Sequence, residues 1–118
     1  MSKHSKIGIN GEQIAADFLQ NKGYKIIFRN WRTGKKEVDI IAEKGNILIF
    51  AEVKTRSRAD LLFPEETVNR KKQENLRTAA AVFSSENPQY KNIRFDIISI
   101  LMAGDVAREV VHFEEAFY

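Results

Sequence analysis

The chain has no cysteine among its 118 residues. Disulfide scaffolds, thiolate metal sites and cysteine nucleophiles are therefore excluded. Histidine is nearly as scarce. His4 and His112 stand near opposite ends, without the spacing of a histidine-rich metal site. No apolar run approaches the roughly 18 residues of a membrane span. The basic start, Met1 to Lys6, is followed by no hydrophobic signal region. The expectation is a reduced, cytoplasmic protein with no membrane contact. The length suits one domain over residues 1–118, with residues 1–7 as a flexible lead.

Charge is present but unevenly spread. The net charge is only +3. Residues 1–36 carry eight Lys or Arg against two acids, residues 37–85 balance, and residues 86–118 carry three against six. From Lys22 to Lys36 every charged side chain is positive, and Lys54, Arg56 and Arg58 form a second basic group. Such clusters suit a phosphate backbone. At this net charge composition alone favours a solvated surface, so a specific site has to decide.

Apolar periodicity predicts a helix over residues 9–22, stopped by Gly23, and a strand over Tyr24–Phe28. A polar connection over Arg29–Lys36 follows. Glu37–Glu43 and Ile47–Lys54 read as a hairpin turning at Gly45-Asn46. Ser57–Pro64 is a loop, and a helix opens at Pro64-Glu65-Glu66-Thr67 and runs to about Ser84. Strands over Ile93–Leu101 and Glu109–Phe113 complete the chain. The order is α-β-β-β-α-β-β, a mixed α/β layer without internal repeats. Ile47, Ile49, Ala51 and Val53 share one face of their strand, and Leu48, Phe50, Glu52 and Lys54 the other. Both faces begin apolar, as in a central strand covered on both sides.

The informative residues are charges in apolar positions. With Lys44 paired to Ile47, Asp39 falls opposite Glu52. Facing carboxylates repel unless something positive lies between them. A magnesium ion, which takes one or two protein carboxylates plus water and phosphate, is one answer; a neighbouring lysine or arginine is the other. Glu12 borders the apolar stripe of the first helix, where the helix dipole also favours an acid. Val68, Lys72, Leu76, Ala79, Ala80 and Phe83 form the stripe of the later helix, with Gln73 on its edge. A lysine there ordinarily snorkels to water. Taken together, acids, lysines and a glutamine on inward or bordering faces have the composition of a metal-dependent phosphodiester hydrolysis site.

Asp39, a gap of 12 residues, then Glu52-Val53-Lys54, with Glu12 upstream, resembles the PD-(D/E)xK nuclease superfamily. Further matching stretches are Gly11-Glu12, Gly23-Tyr24, Arg29-Asn30-Trp31-Arg32, Glu37 to Ile41, Phe50 to Arg56, and Lys72-Gln73. More narrowly, they resemble the small bacterial YraN (UPF0102) family, related to archaeal-type Holliday junction resolvases, over about residues 8–101. One departure is Lys36-Glu37, where the family pattern has Gly-Glu.

The resemblance implies a restriction-endonuclease-like core, a mixed central sheet flanked by helices. It implies that Asp39, Glu52 and the Val53 backbone carbonyl hold Mg²⁺ or Mn²⁺, with Glu12 a further ligand directly or through water. Lys54 would activate or position water, and Lys72 and Gln73 would assist the site or contact phosphate. The function implied is a metal-dependent DNA endonuclease acting on branched or damaged DNA, with Arg29, Arg32, Lys35, Lys36, Arg56 and Arg58 on the backbone. The related resolvases are dimers, and by analogy so is this chain. The alternative is a nuclease-like fold that binds nucleic acid or a protein without cutting. Trp31, Phe50 and Phe83 are expected as anchors, Asp96 as a local hydrogen-bond acceptor and His112 as structural.

Overall fold

The computed structural model describes residues 3–57 and 69–118, with side chains from Gly11 onward. The elements are α1 (Lys3–Asn21), β1 (Lys25–Thr33), β2 (Lys36–Lys44), β3 (Ile47–Ser57), α2 (Arg70–Glu86), β4 (Asn92–Ala103) and β5 (Val106–Phe117). The order is the expected α-β-β-β-α-β-β. The five strands form one mixed sheet in the order β1-β2-β3-β4-β5. Only β3 and β4 run parallel, joined by the crossover that contains α2. The α/β class and helix-flanked mixed sheet are those of a nuclease-like core. No helix among the described residues is long and apolar enough to cross a membrane.

The strand β3 is central and covered on both faces. Ile49 and Ala51 pack with Ala15, Ala16 and Leu19 of α1. Leu48 and Phe50 pack with Leu76, Ala79, Ala80 and Phe83 of α2. Phe83 meets the rings of Trp31 and Phe50 edge-on at centroid distances of 5.3 and 5.8 Å, which fastens α2 over β1 to β3. These aromatics are anchors, as expected. The β2–β3 hairpin turns at Gly45, whose φ of 61° is the left-handed value a two-residue turn asks for.

Several boundaries differ from the sequence expectation: the first helix begins at Lys3, within the expected flexible lead, and the last strand spans Val106–Phe117, longer at both ends than Glu109–Phe113. The first strand runs on through Thr33 instead of giving way to a connection at Arg29. β1 is an edge strand, so Arg29, Asn30 and Arg32 can be exposed while the backbone still bonds to β2. Likewise β3 continues to Ser57 because its parallel pairing with β4 continues to Met102. The second helix begins at Arg70. Asn69 is extended (φ −76°, ψ 172°) and its side chain accepts from the Lys72 N–H, so it caps the helix and α2 does not reach back through it. The expected opening at 64–67, and Val68 of the predicted stripe, lie outside the described residues.

Candidate metal and phosphate site

The hairpin register is the expected one, from Lys44–Ile47 to Ile40–Ala51. At the next position the ladder gives way. The Val53 N–H donates to Asp39 Oδ2 at 2.8 Å, so a side chain takes the place of a strand carbonyl. The strand also changes face here. Val38 packs in the α2 cluster and Ile40 in the α1 cluster, although residues two apart in a regular strand share a face. On the other side of β2, Arg29 pairs with Ile40 and Trp31 with Val38. Between those pairs Asn30 has φ 53°. Asp39 thus sits at a kink, with its carboxylate held toward β3 by the Val53 amide.

Around it lies an open cleft of about 240 Å³ lined by Lys35, Lys36, Glu37, Asp39, Glu52, Lys72, Asn75 and Leu76. Lys72 Nζ donates to Glu52 Oε1 at 3.1 Å, with the glutamate side chain 12% exposed and the lysine 48%. Burial, then repulsion from Glu52, then Glu12 and Glu37, push the Asp39 carboxyl up to about 7, against the Val53 N–H that favours its anion. Lys54 is pushed down, first by burial and then by the charge of Lys72 beside it. Burial would push Lys72 down too, but the attraction and hydrogen bond of Glu52 raise it. A pair of titratable groups driven apart in this way is characteristic of acid–base sites.

Glu12 is half-buried on the edge of α1, as expected, and its Oε2 accepts from Asn30 Nδ2 at 3.1 Å. Gly11 explains how the helix comes so near β3. A Cβ there would stand 2.3 Å from Thr55 Cγ2. Only glycine permits that approach, which sets Glu12 beside the end of β3.

The oxygen donors suit a hard divalent cation. Asp39 and Glu52 both line the cleft, and the repulsion of Glu52 adds to burial in raising the Asp39 carboxyl. Among the described residues no three His, Cys, Asp or Glu side chains converge as a ligand group. A divalent ion held here would take two carboxylates from this set, with water, backbone and phosphate completing its shell.

The other predicted residues are distributed as follows. Lys35 and Lys36 line the cleft. Arg29 Nη1 donates to Gln13 Oε1 at 2.9 Å, and Arg32 pairs with Glu37 at 2.7 Å. Arg56 is half-buried on β3, close enough to bear on Lys54. Arg58 lies outside the described residues. Gln73 lines a different depression of about 610 Å³ with Ile97, Phe113, Glu114, Glu115, Ala116 and Phe117. That depression is larger, but Asp39, Glu52 and three lysines line the smaller cleft, and the chemistry decides for it. Sequence reasoning missed Asn75, which is visible in retrospect as the residue three beyond Lys72 on one helix face.

Asp96 forms a separate network. It is fully buried and accepts from Arg94 Nε and Nη2 at 2.8 and 2.7 Å, from the Glu115 N–H at 3.2 Å, and from His112 Nε2 at 2.6 Å. Lys22 Nζ lies 2.7 Å from His112 Nδ1. An ammonium only donates, so Nδ1 accepts and Nε2–H faces Asp96. Burial would raise the Asp96 carboxyl, but the hydrogen bonds of His112 and Arg94 outweigh it and hold it low. These residues fasten α1, β4 and β5 together and belong to the framework.

The sequence comparisons show the family. The model of the family described as "Uncharacterised protein family UPF0102" matches residues 11–100. The chain belongs to the UPF0102 family. A UPF0102 protein of Dictyoglomus thermophilum is 45% identical over 101 residues, covering 85% of this chain and 86% of the relative. One of Flavobacterium psychrophilum is 42% identical over all 118 residues and 98% of its own length. One of Phocaeicola vulgatus is 41% identical over 118 residues and 97% of its own length. The UPF0102 match begins at Gly11 and takes in every residue of the cleft.

Proposed function

We propose that this UPF0102 protein is a metal-dependent phosphodiester hydrolase acting on DNA. The observation that carries it is an open cleft in which the carboxylates Asp39 and Glu52 stand among Lys35, Lys36 and Lys72. Asp39, Glu52 and the Val53 carbonyl would hold Mg²⁺ or Mn²⁺, with Glu12 acting on it through water. The bound ion would offset phosphate charge and acidify water. Lys54, pushed down by burial and by Lys72, would position the attacking water. Lys72, drawn from Glu52, meets a phosphate oxygen. Lys35 and Lys36 hold the backbone at the cleft rim without reading bases. Branched or damaged DNA is the substrate class we favour.

One observation favours a second reading, a nuclease-like module that binds without cutting. The Lys72–Glu52 ion pair already satisfies Glu52 without a metal. Incubation of the protein with branched, nicked and single-stranded DNA in Mg²⁺ or Mn²⁺ separates the two. Cleavage abolished by Asp39→Ala/Glu52→Ala supports the hydrolase. Binding that persists in both proteins without cleavage leaves the module. Sedimentation of the same samples tests the homodimer.

A further inference from the structure

Asn30 stands in the middle of β1 with a left-handed backbone, φ 53°. Asparagine is among the few residues that adopt this conformation readily. It lies across from Asp39, in the gap between the pairs Arg29–Ile40 and Trp31–Val38. Its amide donates to Glu12 Oε2 at 3.1 Å, and the adjacent Arg29 donates to Gln13 at 2.9 Å. Two consecutive residues of β1 thus hold two consecutive residues of α1. The close contact of Gly11 on Thr55 holds the same turn from β3. Glu12 is therefore fixed from two sides, by the strand residue that lies across from Asp39 and by the approach to β3.

The choice of amide matters chemically. An arginine or lysine at position 30 would hold Glu12 as well but would cancel its charge. A neutral donor fixes one oxygen and leaves the carboxylate negative and able to accept from water. We propose that Asn30 is a positioning residue of the cleft, whose left-handed backbone delivers an amide that fixes Glu12 where it supports a cation at Asp39 and Glu52 through water. This rests on the metal-dependent reading above.

The test is calorimetric titration of Mn²⁺ into the full chain and into E12Q, N30G, N30K and E12Q/N30G, with melting curves of each. Glycine keeps the positive φ and removes only the amide. N30G is expected to bind Mn²⁺ about tenfold more weakly, the usual lower effect of losing a ligand's hydrogen-bond partner. Its loss should match that of E12Q, the double variant should be no weaker than E12Q alone, and melting should stay near wild type. N30K should weaken binding at least as much as N30G. Wild-type affinity in N30G or in E12Q overturns the inference, as does an additive double variant, which would place the action of Asn30 elsewhere. If Asp39→Ala/Glu52→Ala binds like wild type, or if wild type takes up no Mn²⁺, the metal-dependent reading falls and this inference with it.

Discussion

Replacing Asp39 by asparagine should make the metal-free protein more stable at alkaline pH and change its pH dependence. In the unfolded chain this carboxyl titrates near its ordinary value of 3.8, and in the folded chain at about 7. Between those values the native state holds a proton that the unfolded state has released. Stability is therefore fully present below about pH 4 and is lost as pH rises through 7. At 1.36 kcal/mol per unit, the whole interval corresponds to roughly 4 kcal/mol. The cleft is open to water, which screens the repulsion, so about 2 kcal/mol is the realistic loss. Asparagine cannot titrate, and its amide oxygen can still accept from the Val53 N–H. Urea denaturation of both proteins in a chelator at pH 4.5, 6 and 8 gives the measurement. The variant minus wild-type difference should grow by about 2 kcal/mol between the first and last pH. Other groups, Asp96 among them, contribute alike to both proteins and cancel. Saturating Mn²⁺ at pH 8 should then reverse the order, because only wild type gains, by about 2.7 kcal/mol at a hundredfold excess over Kd. A difference that stays constant with pH would refute the account of Asp39 as a carboxyl crowded by burial and like charge.

Other expectations follow from single contacts. Lys72→Met removes the cation on Glu52, so Mn²⁺ should bind up to about tenfold more tightly without DNA, at a cost of about 1 kcal/mol or less in apo stability; unchanged or weaker affinity in calorimetry would count against the ion pair as a competitor. Gly11→Ala should destabilise by about 1–3 kcal/mol because its Cβ meets Thr55 Cγ2, whereas alanine ordinarily stabilises a helix interior. Adding Thr55→Ser deletes that methyl and should recover most of the loss in thermal melts. Asp96→Asn leaves the Arg94 guanidinium with only the half-exposed Glu114 as a charge partner and should cost about 3 kcal/mol at neutral pH. Since Asp96 is held low, that stabilisation is present at neutral pH and disappears as pH falls through its folded value, so the two denaturation curves should converge in acid.

The sequence by itself determined the order of elements, the hairpin register and part of the cleft, Lys35, Lys36, Asp39, Glu52 and Lys72. Alternation along Ile47–Lys54 shows a strand buried on both faces, because side chains in a strand alternate regardless of what surrounds them. Gly45-Asn46 sets the register, since a short turn leaves only one way to pair its neighbours. Helical spacing likewise puts Glu12 at the border of its stripe and Lys72 within its own. These are local facts, decided by residues within one or two turns of each other.

Only the tertiary structure decided the rest. Alternation alone would leave Asp39 paired across from Glu52; instead the strand turns its face at that residue and the Val53 amide takes its carboxylate. The cause lies in neighbouring elements, the left-handed Asn30 on β1 and the packing of Val38 and Ile40 on opposite helices. The polar sequence of Arg29–Thr33 looked like a connection because an edge strand's backbone is satisfied by a partner that the segment does not contain. Arg94 lies two residues from Asp96 on β4, but His112 and the Glu115 amide reach it from β5 only once the sheet has formed. Burial, close approach and the repulsion that lifts Asp39 all depend on distances between residues far apart in the chain, and those distances exist only in the folded state.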